Sequence, residues 1–113
     1  MTMVRTTTVN QPEVLVFVMS GCAACSELKP LAQQMSVHYQ RCINTRIIDV
    51  DVDAEFADAM GVEELPTIIG VNAAKQPQIR MVGHDGKPDR LIEVYSRLLA
   101  GVTSCSVSPF RDV

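Results

Sequence analysis

Residues 14–30 read VLVFVMSGCAACSELKP, and how this stretch is parsed decides the fold. Val14 to Met19 form an unbroken apolar run between Pro12 and Gly21, too short for a helix on its own and rich in β-branched residues. Such a run suits a strand buried on both faces. From Cys22 onward, Leu28, Leu31, Ala32, Met35 and Tyr39 recur with the spacing of one helix face, which predicts an amphipathic helix running to about Gln40. The order is strand, tight turn, helix, with Cys22 and Cys25 in the helix's first turn. Pro30 inside this pattern removes a backbone donor and is expected to bend the helix near Cys25 and Ser26.

Farther along, "RIIDVDV" (46–52) reads as a second strand, apolar enough to be central, with Asp49, Asp51 and Asp53 as a solvated strand end and helix cap. "AEFADAM" (54–60) follows as a short helix stopped by Gly61. A long helix between two buried strands makes a βαβ unit with a parallel pair. "PTIIGV" (66–71) and "QIRMVG" (78–83) are joined by a connection of hairpin length and so should be antiparallel. Pro88 suits the first turn of a last helix, whose apolar stripe Leu91, Val94, Tyr95 and Leu98 ends at Gly101. The expected layout is α/β: a mixed sheet from a βαβ and then a ββα unit, flanked by helices. Residues 1–12 are an N-terminal extension or short edge strand, 13–101 the domain, and 102–113, which lack periodicity, a flexible tail.

A chain of 113 residues buries a core without needing a disulfide, and a net charge of −3 offers no basic field for nucleic acid or anionic lipid. No apolar run approaches the length that spans a bilayer, and the start carries no leader pattern, so a soluble, cytoplasmic protein is expected.

The pair Cys22 and Cys25 could be a redox couple, half of a metal site, or two thiols that lie close by chance. A closed zinc site wants four Cys or His ligands, usually as two close pairs, and no second pair exists. Neither a metal nor another cofactor is expected. His38 and His84 read as surface residues, and Cys42 and Cys105 as free thiols rather than a second couple.

At a helix N-terminus the Cys-x-x-Cys spacing has a purpose, because one helical turn brings the two sulfurs within bonding reach. Cys22 sits where unpaired N–H groups and the helix dipole favour negative charge, so its thiolate is expected to be stabilised. Cys25, one turn deeper, is shielded. The asymmetry makes Cys22 the attacking nucleophile and Cys25 the thiol that resolves the mixed disulfide.

"VLVFVMSGCAACSELKP", "VDVDAEFADAMGVEELPT" and "MVG" together resemble the thioredoxin family, in order and spacing, over roughly residues 13–100. The resemblance implies a thioredoxin fold and a thiol–disulfide oxidoreductase reducing protein disulfides. It implies as partners disulfide-containing proteins and a thioredoxin reductase or other electron donor, with the chain a monomer. By the same resemblance Pro66 is a cis-proline beside the dithiol, and Gly21, Ala23, Leu65, Pro66, Val82 and Gly83 line the groove that receives an extended substrate chain.

Departures from the family pattern are specific. Gly21 stands where the family has Trp, and Ala23-Ala24 replace Gly-Pro. Val16 and Ile47 stand where the family has a buried Asp and a Lys, leaving the resolving thiol without its usual carboxylate. These departures leave as one alternative a binding or processivity module with little redox activity; a second, a glutathione-dependent, glutaredoxin-like reductase, is suggested by the dithiol with a proline-containing loop and by the GHDG element at 83–86.

Overall fold

In a computed structural model of the chain, the structure describes residues 11–102 and 104–110. The expected extension or edge strand at 1–12 falls, for its first ten residues, outside them. The elements in chain order are β1 (Glu13–Val18), α1 (Ala23–His38), β2 (Asn44–Asp49), α2 (Ala54–Ala59), β3 (Thr67–Val71), β4 (Pro77–Val82) and α3 (Asp89–Leu99). The sheet order is β2-β1-β3-β4, with β1 parallel to β2 and antiparallel to β3, and β3 antiparallel to β4. A βαβ unit followed by a ββα unit is the mixed α/β layout expected from the sequence.

β1 lies in the middle of the sheet, and its alternation sorts the core. Val14, Val16 and Val18 pack with Leu28, Ala32 and Met35 of α1 and Leu91, Val94 and Leu98 of α3, while Leu15 and Phe17 pack on the opposite face with Ile48, Ile69 and Ala57 of α2. A strand covered on both faces has no polar side to show, which is why the run from Val14 to Val18 is uninterrupted. Gly70 is the closest approach of α3 to the sheet. A Cβ built there would lie 2.9 Å from Ile79 Cγ2 and 3.0 Å from Val94 Cγ1, so only glycine fits without displacing both neighbours.

Three expectations are corrected. Among the described residues β2 is an edge strand, not a central one, and it ends at Asp49 rather than Val52. The chain turns there because Asp49 Oδ1 accepts the Asp51 N–H at 2.9 Å while the Asp49 carbonyl accepts from Val52 and Asp53. This Asx turn breaks an alternation that continues in the sequence. Asp53 occupies the N-cap of α2 but makes no side-chain capping bond.

Cys42 and Cys105 are not free thiols. They form a disulfide with Cα atoms 5.8 Å apart, across 63 residues of sequence. Around it the segment after α3 has no regular secondary structure yet lies along the C-terminal end of α1. Arg41 donates to the Ser106 carbonyl at 2.9 Å, His38 Nε2 pairs with the Ser108 carbonyl at 2.6 Å, and the Phe110 N–H donates to Tyr39 Oη at 3.0 Å. Tyr39, fully buried, stacks on Tyr95 with ring centroids 4.4 Å apart, and Tyr95 hydrogen-bonds Thr45. Neither histidine is a plain surface residue: both are half-buried, and His84 Nε2 is shielded without a partner among the described residues.

Candidate active site

The chain leaves β1 at Val18, passes through exposed Met19, Ser20 and Gly21, and enters α1. Gly21 takes φ +81°, a backbone conformation that disfavours any side chain, so the position where the family carries Trp is conformationally suited to glycine here. Cys22 is the N-cap, in extended conformation, and its Sγ accepts the Cys25 N–H at 3.2 Å. Its sulfur thus takes the place that a serine or aspartate oxygen fills at an ordinary helix start. The Cys22 carbonyl accepts from the backbone N–H of Ser26 at 3.1 Å and from its hydroxyl at 3.3 Å.

Cys25 is 1% exposed, whereas Cys22 is half-buried. The two are bonded as a disulfide with Cα atoms 5.2 Å apart, within ordinary disulfide geometry. The first cysteine is therefore partly accessible at the end of the helix, and the second is covered.

The sheet brings the second half of the site to the same end. The β1–β3 ladder runs to Phe17↔Thr67, so Pro66 enters β3 at the end where β1 leaves for the cysteines. The Leu65–Pro66 peptide is cis, and the Pro66 carbonyl accepts the Gly83 N–H at 2.8 Å, joining the two loops. Gly83 has φ +85° and open space where a Cβ would stand. Of the residues expected to line a groove, Gly21, Ala23 and Val82 are exposed and Leu65 and Gly83 half-buried, while Pro66 is buried and offers backbone rather than ring.

A cleft of about 240 Å³ opens beside the deeper sulfur, lined by Cys25, Ser26, Lys29, Ile47 and Asp49 among others. Val16 and Ile47 are cross-strand partners in the β1–β2 ladder, apolar where the family carries ionisable groups. Two residues farther along, Val18 faces Asp49. Lys29 and Asp49 were not singled out from the sequence as site residues. The signal lay in parity: Asp49 shares the face of Ile47, two residues before it in β2.

A mixed sheet of this order, with a Cys-x-x-Cys pair at the N-terminus of the helix that follows the central strand, defines a thioredoxin-fold protein. Residues 4–96 match the family model for thioredoxin. The chain belongs to the thioredoxin family.

A thioredoxin of Borreliella burgdorferi is 27% identical over 70 residues, covering 62% of this chain and 60% of that protein, less than two thirds of the relative's length. Among solved structures, thioredoxin NaTrxh from Nicotiana alata superposes with a TM-score of 0.68 at 27% identity, over 79% of this chain and 74% of that one. The germline-specific thioredoxin Deadhead of Drosophila melanogaster gives 0.71 at 20% identity, over 79% and 82%, and shares the fold.

Proposed function

We propose that this protein reduces disulfides in other proteins, with Cys22 as nucleophile and Cys25 as resolving thiol. The observation that carries the proposal is the asymmetry of the pair: Cys22 is half-buried and its Sγ accepts the Cys25 N–H at 3.2 Å, while Cys25 is 1% exposed. In the reduced protein, the same N–H and the helix terminus stabilise negative charge on Cys22. The Cys22 thiolate attacks a substrate disulfide, and one substrate sulfur leaves as thiolate and takes a proton. Cys25, a single turn away, then attacks Cys22 Sγ. The Cys22–Cys25 bond forms and the second substrate sulfur departs reduced.

Gly21, Ala23, Leu65, Pro66, Val82 and Gly83 are proposed to seat the substrate's extended chain; the absence of Cβ atoms at Gly21 and Gly83 leaves room for a second backbone. A dithiol donor, a thioredoxin reductase or its equivalent, restores the couple. The test is insulin reduction in the presence of dithiothreitol. The native protein accelerates precipitation of the insulin chains and Cys22→Ser does not; a native rate at the dithiothreitol background refutes the reading. Cys25→Ser accumulates mixed disulfides on Cys22, which mass spectrometry identifies.

A further inference from the structure

Resting on the proposed dithiol exchange, the resolving step poses a problem of its own. Cys25 is buried at 1% exposure and must lose its proton before it can attack Cys22. Nothing ionisable occupies the ladder pair Val16 and Ile47 on the face above it. The cleft beside Cys25 is the route by which that proton can leave, and among the described residues its titratable groups besides the thiol are Lys29, from α1, and Asp49, from the end of β2.

We propose that Asp49 is the proton acceptor for Cys25. Three observations place it. Asp49 lines the same cleft as Cys25. It pairs with Val18, the last residue of β1 before the loop that carries the dithiol. Its Oδ1 accepts the Asp51 N–H at 2.9 Å, which holds the carboxylate at the strand end. At about 240 Å³ the cleft has room for water, whose share of liquid volume is about 30 Å³, so the carboxylate reaches the buried thiol through a water relay. Lys29, which lines the same cleft, adds a positive charge, which favours the thiolate as it develops.

The step balances without a further reactant. The Cys25 Sγ–H proton passes through water to the Asp49 carboxylate. The freed electron pair forms the bond to Cys22 Sγ, the bond from Cys22 to the substrate sulfur breaks, and its electron pair leaves on that sulfur, which is protonated from solvent. The Cys22–Cys25 pair is oxidised, the substrate sulfur is reduced, and Asp49 returns its proton to water.

The test follows resolution apart from attack. Reduced protein is mixed with an aromatic disulfide, dithiobis-nitrobenzoate, and acid-quenched mass spectrometry records the Cys22 adduct as it forms and decays to the Cys22–Cys25 disulfide. In Asp49→Asn, which keeps an Oδ1 acceptor for the turn, adduct formation is unchanged and decay slows by about tenfold or more at neutral pH. The Asn variant's decay rate rises about tenfold per pH unit because it depends on unassisted ionisation of Cys25, while the native rate depends on pH far less steeply. Asp49→Glu restores the native profile. Equal decay rates and equal pH profiles in native and Asp49→Asn overturn the assignment of Asp49 and leave the dithiol reading standing. A native protein in which no adduct forms on Cys22, or in which the adduct is never resolved, overturns both.

Discussion

Single residues carry both the chemistry and much of the packing in this chain. Cys22 is the N-cap of α1 and, in the proposed function, the sulfur nucleophile as well: the geometry that ends a helix properly is one that favours a thiolate. Tyr95 shows the opposite use of burial. Its ring stacks on Tyr39 in the α1–α3 core, and loss of solvation pushes its phenol up to about 12, partly countered by the hydrogen bond to Thr45. Because the folded value lies above the unfolded value of about 10, the folded state keeps its proton where the unfolded chain releases it. The resulting stability is fully present below pH 10 and is lost as pH rises from about 10 to about 12. We expect urea unfolding midpoints to fall across that window, and Tyr95→Phe, itself less stable at neutral pH for want of the Thr45 bond, to show a smaller fall. An equal fall in both proteins would assign the alkaline loss to other groups.

Among the elements, α1 organises the molecule because a disulfide lies near each end. Its N-terminus holds Cys22 and Cys25, and Cys42 lies four residues beyond its last turn, bonded to Cys105. Sixteen helical residues span about 24 Å, so the two disulfides do not exchange within one chain. The distal bond clamps the segment after α3 along the end of α1, together with the contacts from Ser106, Ser108 and Phe110. Closing so long a loop restricts the unfolded chain, and Cys105→Ser is expected to lower unfolding free energy by about 2 to 4 kcal/mol in urea titrations under non-reducing conditions. An unchanged midpoint would show that the bond adds nothing to the noncovalent contacts beside it. This element was hidden in the sequence for a physical reason. Periodicity reports local conformation, whereas the pairing of Cys42 with Cys105 depends on where α3 returns the chain. β2 misled in a similar way: Val50 and Val52 continue the alternation of a strand, and the Asx turn at Asp49 overrides it.

For the whole molecule, the succession of a βαβ and a ββα unit and the placement of the dithiol were legible because they rest on strong local signals: the apolar run of β1, the helical spacing from Leu28 to Tyr39, and one Cys pair separated by a single turn. The supporting shell was not. Gly70 reads as an ordinary strand residue until α3 is seen to press against it, and Asp49 as a solvated strand end until Cys25 is seen to share its cleft. Fold alone assigns no activity; the proposed disulfide exchange rests on the sulfur of Cys22 being held as an anion in the reduced protein. The most direct measurement is the pH dependence of Cys22 alkylation by iodoacetamide in the dithiothreitol-reduced protein, read peptide by peptide by mass spectrometry. The account predicts half-maximal reactivity well below the value of about 8.5 for a free cysteine. A Cys22 profile centred at or above that value would contradict it.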